Sequence, residues 1–138
     1  MGIEVKEIYV NLPVKDLNKS KEFFSILGFG FNPQYSNEQG ACMVINDTIY
    51  AMLMVEDQFK GFTNKEIPDT TSTSEAIFAL SVDTKEEVDE IVNKALSAGG
   101  KPLNEPFDHG FMYGWSFQDL DGHLWEVFFM DSNAAPSQ

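Results

Sequence analysis

The sequence has few of the residues that mark several common classes of protein. Cysteine occurs once, at Cys42, so no disulfide can form within the chain and a reducing compartment, the cytoplasm, is expected. Only nine basic residues stand against twenty-two acidic ones, which gives a net charge of −13. This balance argues against nucleic acid and against an anionic membrane surface as partners. It permits a cationic ligand, because an acidic cleft concentrates cations.

Long apolar runs and targeting signals are also missing. No run approaches the roughly 20 residues that span a bilayer. The N-terminal segment MGIEVKEIYV lacks the basic and apolar regions of a secretory signal. The chain is instead rich in apolar residues, at 43%, and in aromatic residues, at 13% with twelve Phe, over 138 positions. This content suits one compact domain with a filled core.

The first half of the chain predicts one strand, one helix and three further strands. Residues 3–12 alternate as a strand does, and Pro13 should end that strand because proline cannot donate to a ladder. Asp16 is a candidate N-cap for a helix through Leu27, and Gly28 should end this helix. Further strands are predicted at about 29–35, 41–46 and 49–55.

The second half repeats this order after a polar segment. A strand at 76–82 precedes the capping box Thr84-Lys-Glu-Glu87 and a helix that Gly99 and Gly100 should close. Three more strands are predicted at about 101–104, 111–117 and 123–130. Each half thus has one helix to cover one face of its strands. The other faces must be buried by each other, by a ligand or by a second subunit.

Four stretches follow one another along the chain, namely VNLPVKDL at 10–17, FFSILGF at 23–29, ALSVD at 79–83 and DLDGHLWE at 119–126. Together they resemble the vicinal oxygen chelate superfamily, which includes glyoxalase I, bleomycin-resistance proteins and extradiol dioxygenases. The nearest subgroup looks like the predicted lactoylglutathione lyases. The resemblance implies an α+β fold in which paired βαβββ modules form a curved mixed sheet around a cleft.

This resemblance also predicts the organisation of the chain. We expect a single domain over residues 1–138 and a homodimer. The segments are module one at about 3–60, a polar linker at about 61–74, module two at about 75–131 and a C-terminal tail at 132–138.

Metal-dependent members of the superfamily place one ligand on the first strand and one on the last strand of each module. The resemblance carries these positions over to Tyr9, Met52, Ile77 and Glu126, with Met54 in place of Met52 if the register slips. A thioether and an alkyl side chain do not suit a hard divalent ion, and open catalytic sites usually keep three protein ligands. We therefore expect no metal at this place and no cofactor.

His123 and Glu126 are two good metal ligands only three residues apart. Asp121 and Gly122 predict a turn before them, and the aromatic run that follows favours a strand. Positions three apart on a strand face opposite ways, so these two side chains should diverge. His123 is then a turn residue that bonds nearby backbone.

Glu126 should share its strand face with apolar residues, and the other face should lie under a helix. Its carboxylate could bind a cationic group, act as a general base, or bond to Tyr9 or Asn11, which should project into the same cleft. It is the one residue that we name as a catalytic candidate.

The segment 108–115 is the other notable stretch. His109 lies in a glycine-flanked loop, and Phe111, Tyr113 and Trp115 follow at strand spacing. This pattern is typical either of an aromatic wall with a titratable histidine at the mouth of a cleft, or of a core strand entered through a loop.

The sequence therefore favours a glyoxalase/bleomycin-resistance-like protein that binds a small molecule in an acidic, aromatic-lined cleft, without the superfamily metal. The candidate ligand-binding residues are Tyr9, Asn11, Met52, Ile77, His109, Tyr113, Trp115 and Glu126. Two alternatives stay open. One is a metal-dependent lactoylglutathione lyase-like enzyme, or another lyase or isomerase, with a divalent ion to which His109, His123 and Asp108 would add ligands. The other is a protein that sequesters a cationic antibiotic.

Overall fold

A computed structural model describes residues 2–131, which divide into two compact units. The first unit ends at Ile67 and the second begins at Pro68, inside the segment predicted as a polar linker. The predicted tail at 132–138 lies outside the described residues. Both units contain the order strand, helix and further strands in a mixed sheet, so the predicted α+β class with paired βαβββ modules is confirmed. No helix among residues 2–131 is long and apolar enough to cross a membrane.

The first unit contains one four-stranded sheet. Its order is β1-β4-β3-β2, in which β1 runs parallel to β4 and the other neighbours are antiparallel. The elements are β1 (Ile8–Val14), α1 (Leu17–Leu27), β2 (Gly30–Asn32), a 3-10 turn (Pro33–Tyr35), β3 (Gly40–Asn46), β4 (Ile49–Val55) and α2 (Glu56–Lys60).

Helix α1 begins and ends as predicted. The side chain of Asp16 accepts a hydrogen bond from the Lys19 N–H at 3.1 Å, which satisfies one of the free donors of the first turn. Gly28 adopts φ 114°, a left-handed conformation that ends the helix and favours glycine. Between these ends, Phe23 and Phe24 are buried where α1 packs against β3 and β4.

Three predictions for the first half are wrong in detail. Pro13 does not end β1, because it stays in register opposite Met54. Among residues 2–131, β1 pairs only with β4 and is an edge strand, where a proline is tolerated. The strand predicted at 29–35 is shorter, because the chain turns into a 3-10 helix at Pro33. Residues 3–7, which were expected to start β1, have no regular structure.

The second unit repeats the arrangement with one extra short strand. Its sheet order is β5-β9-β8-β6, with β5 parallel to β9, and β7 also pairs with β8. The elements are β5 (Ile77–Val82), α3 (Lys85–Ser97), β6 (Lys101–Pro102), β7 (Phe107–Asp108), β8 (Met112–Gln118) and β9 (Leu124–Met130).

The predicted N-cap of α3 at Thr84 is confirmed, which is one of the two hydrogen bonds of a capping box. Thr84 Oγ1 accepts a hydrogen bond from the Glu87 N–H at 3.1 Å, and the Thr84 hydroxyl lies 3.3 Å from the Glu87 carboxylate. At the other end, Gly99 has φ 109°. Val88 and Val92 are fully buried on the side where α3 packs against β8 and β9, so this helix covers one face of the second sheet.

Candidate functional site

The sheet of the first unit has one face that α1 does not cover, which we call the first open face. Residues that pair on neighbouring strands point to the same side of a sheet. Tyr9 pairs with Tyr50 and Asn11 with Met52, so these four side chains share one face. The residues between them along the strands, such as Leu53, are buried on the helix side. The structure therefore brings the predicted residues Tyr9, Asn11 and Met52 together.

Tyr9 is held by an aromatic and a polar contact. Its ring stacks on that of Tyr50, with centroids 4.7 Å apart and planes at 13°. Its hydroxyl donates to Glu7 Oε1 at 3.1 Å. Partial desolvation and the Glu7 carboxylate raise the pKa of Tyr9 to about 12, so the phenol stays protonated at neutral pH. A protonated phenol that already donates a hydrogen bond is a poor ligand for a cation.

The second unit has a corresponding uncovered face, which we call the second open face. Glu126 pairs with Ala79 of β5 and with Ser116 of β8, so the three side chains share this face. Ile77, which is 62% exposed, lies on it beside Leu124. The predicted alternation along β9 is confirmed, because the next side chains, Trp125 and Val127, are fully buried on the other face.

Glu126 is a half-buried carboxylate among apolar neighbours. The two flanking positions on its face of β9 are Leu124 and Phe128. Ser116, directly opposite, accepts a hydrogen bond from the Asn104 N–H at 3.2 Å. Within residues 2–131, Glu126 itself makes no hydrogen bond and no ion pair with any other residue. The second open face thus carries one negative charge with no protein partner among the described residues.

His123 belongs to a turn, as predicted, and directly precedes the strand that carries Glu126. The turn is organised by Asp119, whose N–H donates to the His123 carbonyl at 3.0 Å. Asp119 Oδ1 accepts from the N–H groups of Asp121 and His123 at 2.9 and 3.0 Å, and Oδ2 accepts from Trp125 Nε1 at 2.9 Å. Burial raises the pKa of the Asp119 carboxyl, and His123 together with these hydrogen bonds offsets part of the rise.

Tyr113 and Trp115 are not brought together with Glu126. Trp115 pairs with the buried Val127, and the Tyr113 hydroxyl donates to Asp89 Oδ1 of α3 at 2.5 Å. Both side chains therefore point to the helix side of the sheet, which favours the alternative of a core strand over that of an aromatic wall for these two residues. Asp89, followed by desolvation, raises the pKa of Tyr113 to about 12.

His109, by contrast, lies on the side of the second open face. Its N–H donates to the Met112 carbonyl at 2.8 Å, which extends the pairing of β7 with β8 by one residue. Its ring lies 5.1 Å from that of Phe107, at 35°. Phe107 pairs with Gly114, which in turn pairs with Phe128, so all of these positions share the face of Glu126.

Sequence reasoning missed Phe107 because β7 is only two residues long and has no periodicity of its own. The register of β8 against β9 could not be predicted from the sequence either. This register determines which residues of β8 lie on each face of the sheet. Pairing Phe117 with Trp125 across the turn at 119–123 places every second residue of β8, including Trp115, on the helix side. The Asp119 turn was the available signal, since it fixes which residues lie opposite.

The four positions that the resemblance assigns to a metal do not form a suitable donor set. They offer a phenol that donates to Glu7, a thioether at Met52, an alkyl group at Ile77 and the carboxylate of Glu126. In the part of the chain from residue 2 to 131, no group of three or more His, Cys, Asp or Glu side chains could hold a metal ion. The residues present therefore do not fit the ion of the metal-dependent relatives.

The first unit also has an open groove of about 860 Å³ that the sequence did not predict. It lies beside α1 and the segment around the 3-10 turn, and its lining includes Lys21, Phe31 and Glu38. None of the predicted site residues lines it. Its lining carries charges of both signs, on Lys21 and Glu38, together with neutral polar side chains. The resemblance assigns no site position to this groove, so it does not change the choice of site.

Comparison with known proteins gives one family and many similar folds. A model of the Glyoxalase/Bleomycin resistance protein/Dioxygenase superfamily matches residues 8–127. A solved structure of a hypothetical protein from S. aureus is 32% identical, covers 91% of this chain and 94% of its own, and superposes with a TM-score of 0.78. None of the curated proteins compared with the sequence matches it.

Two further solved structures share the fold at lower identity. A glyoxalase/bleomycin resistance protein/dioxygenase family enzyme from Burkholderia phytofirmans is 18% identical, with a TM-score of 0.76 over 88% of this chain and 96% of its own. A fosfomycin resistance protein from Listeria monocytogenes is 24% identical, with a TM-score of 0.67 over 96% of this chain and 98% of its own. At these identities the likeness shows the fold alone.

Proposed function

This chain belongs to the Glyoxalase/Bleomycin resistance protein/Dioxygenase superfamily, and from that premise we propose that it binds a small molecule on the second open face, with Glu126 as the charged contact. The observation that carries the proposal is a half-buried carboxylate with no hydrogen bond or ion pair to any other residue among 2–131, flanked by Leu124 and Phe128. A few convergent polar groups on an apolar surface are typical of ligand sites.

The chemistry of this face favours a ligand that has one positive charge and an apolar or aromatic body. A cation that binds near Glu126 forms a charge-assisted hydrogen bond with the carboxylate. This bond offsets part of the hydration free energy that both charged groups lose on binding. The side chains of Ile77, Leu124 and Phe128 offer the apolar contact. The net charge of −13 adds a long-range attraction for cations.

We propose further that no divalent metal takes part at the superfamily position. A lyase or isomerase of the glyoxalase type uses a metal to polarise a carbonyl, and the four positions here supply a single carboxylate, Glu126. The phenol of Tyr9 is neutral and donates to Glu7. Binding therefore has more support than a metal-dependent lactoylglutathione lyase-like activity.

The test measures the charge preference of the site with two probes of one shape, 3-phenylpropylamine and the uncharged 3-phenylpropanol. The amine should bind the parent protein at least tenfold more tightly than the alcohol, because a hydrogen bond between charged groups is worth about 1.5–3 kcal/mol. Glu126→Gln should remove this preference without changing the fold. Binding is followed by titration of protein NMR resonances.

The control is Glu105→Gln, which removes an exposed carboxylate of the same unit and should leave the preference unchanged. If Glu126→Gln keeps the preference for the amine, the charged contact is elsewhere and the proposal is wrong. Elemental analysis of the same samples, purified without chelator, tests the second proposal. A stoichiometric divalent ion that disappears in Glu126→Gln would contradict a metal-free site.

We also propose that the chain forms a homodimer in the cytoplasm. Both open faces carry exposed apolar side chains, with Tyr9 at 43% and Ile77 at 62% exposure, and surfaces of this kind are commonly covered by a ligand or a second subunit. The one cysteine, Cys42, is free and buried, which suits a reducing compartment. Light scattering should give twice the chain mass of 15.5 kDa, and the monomer mass would contradict the dimer.

A further inference from the structure

The β7–β8 hairpin, residues 107–114, has two sides with different partners. Asp108 pairs with Tyr113, and Phe107 pairs with Gly114. Because side chains alternate along a strand, the first pair points to the helix side of the sheet and the second to the open face. The hairpin is therefore a connection between α3 and the face that carries Glu126.

On the helix side, three contacts tie the hairpin to α3. The Tyr113 hydroxyl donates to Asp89 Oδ1 at 2.5 Å. The Lys85 ammonium donates to Asp108 Oδ2 at 3.2 Å, and it lies 5.6 Å from the centroid of the Tyr113 ring. Lys85 and Asp89 are four residues apart and share one face of α3. These contacts hold the hairpin from the side that a ligand does not reach.

On the open face, the ring of Phe107 lies directly over Gly114. A methyl group added at Gly114 would overlap the outermost carbon of this ring, so the ring occupies the space that any other residue at 114 would fill. The ring of His109 follows at 5.1 Å. The absence of a side chain at Gly114 leaves the space that the outer end of the Phe107 ring occupies.

The distance from this ring to Glu126 follows from the register. Gly114 pairs with Phe128 and Ser116 with Glu126, so Gly114 and Glu126 are diagonal neighbours on β8 and β9, roughly 7–8 Å apart. The backbone of Phe107 is two strands from Glu126, but the outer end of its ring reaches Gly114. A ligand with an ammonium group a few bonds from an aromatic ring spans this separation.

We propose that Phe107 is a ligand-contacting residue of the second open face, and that Lys85 and Asp89 are positioning residues that hold it there through Asp108 and Tyr113. The inference rests on the proposed function and adds the ligand class, an arylalkylamine whose ammonium group meets Glu126 while its ring packs on Phe107. Phe128, on the same face, completes the apolar contact.

Positioning can be tested without any ligand, because the chain has only two histidines, His109 and His123. The ring of Phe107 should displace the His109 Cε1–H resonance through its ring current. This displacement should be lost in Phe107→Ala and reduced in Asp89→Asn. The matched control Glu90→Gln alters the same helix away from the hairpin and should change neither histidine.

The same variants are then titrated with 3-phenylpropylamine. Phe107→Ala should weaken binding at least fivefold, and Gly114→Ala should do the same because its methyl group displaces the ring while the hydrogen bonds to α3 remain. Asp89→Asn should weaken binding in proportion to its loss of the His109 displacement, whereas Glu90→Gln should bind as the parent does.

The outcomes separate the two proposals. If Phe107→Ala and Gly114→Ala bind the amine within twofold of the parent while Glu126→Gln loses its preference, the role of Phe107 is wrong and the proposed function stands. If Asp89→Asn leaves the His109 resonance unchanged, the positioning role is wrong. If the parent binds the amine no better than 3-phenylpropanol, the proposed function itself fails and this inference fails with it.

Discussion

Replacing Asp119 with alanine is expected to lower the free energy of unfolding by about 3–5 kcal/mol. Asp119 is 4% exposed, and its carboxylate accepts from the N–H groups of Asp121 and His123 and from the indole of Trp125. Each donor left unsatisfied in a buried place costs roughly 1–3 kcal/mol. The relief of no longer burying a carboxyl group, whose pKa burial raises, offsets part of this loss.

The effect can be measured by urea unfolding followed by tryptophan fluorescence. Both tryptophans, Trp115 and Trp125, belong to the second unit, so the signal reports on the unit that contains the substitution. Glu105→Ala, an exposed carboxylate in the same unit, is the control and should change the stability by no more than about 0.5 kcal/mol. An Asp119→Ala protein as stable as this control would show that water replaces the carboxylate.

The variant Asp119→Asn distinguishes the contributions of the two carboxylate oxygen atoms to stability. The amide keeps an acceptor for the two backbone N–H groups at Oδ1, but it places an N–H₂ donor against the indole N–H where Oδ2 now accepts at 2.9 Å. The cost should be about half that of alanine. The two donors oppose each other only while the indole is present. Trp125→Phe should therefore lower the free energy of unfolding less in the Asp119→Asn protein than in the parent protein, and a double-mutant cycle measures this coupling.

The stability of this turn bears on the site because it fixes the register of β8 and β9. The turn decides that Ser116 lies opposite Glu126 and that Phe117 lies opposite Trp125. A shift by one residue would exchange the two faces of the strand. The carboxylate of Asp119, which touches no ligand position, thus determines which side chains stand beside Glu126.

The doubled architecture could be predicted from the sequence because its signals are local. The caps at Asp16 and Thr84 and the left-handed Gly28 and Gly99 depend on a few neighbouring residues and appear where predicted. The prediction for Pro13 was wrong because its signal is not local. Whether a proline ends a strand depends on which edge of the sheet it faces, and that is a property of the pairing of β1 with β4.

The candidate site was predicted in part for the same reason. Alternation along one strand correctly separated Glu126 from Trp125, because it requires only the period of two. Placing Tyr113 and Trp115 required the register between two strands, and recognising Phe107 required a two-residue strand whose pairing depends on β8. Neither is encoded in a local pattern. The features of the site that depend on a single strand could therefore be predicted from the sequence, whereas the features that depend on pairing between strands could not.

Replacing Phe23 with alanine is expected to destabilise the first unit by about 3–5 kcal/mol, as removal of a fully buried aromatic ring usually does. Phe23 is 1% exposed on the inner side of α1 and meets Phe24 edge-to-face, with centroids 5.0 Å apart. The lost ring removes apolar burial and leaves a cavity that the packed helix and sheet fill only in part.

Urea unfolding followed by far-UV circular dichroism measures this loss, because neither tryptophan lies in the first unit. Phe23→Leu keeps most of the apolar volume and should cost no more than about 1.5 kcal/mol. Glu22→Ala, an exposed neighbour on the same helix, should change the stability by less than about 0.5 kcal/mol. If Phe23→Ala matches Glu22→Ala, α1 does not depend on this ring for its packing, and the other buried apolar residues of the helix, Leu17, Phe24 and Leu27, hold it against the sheet.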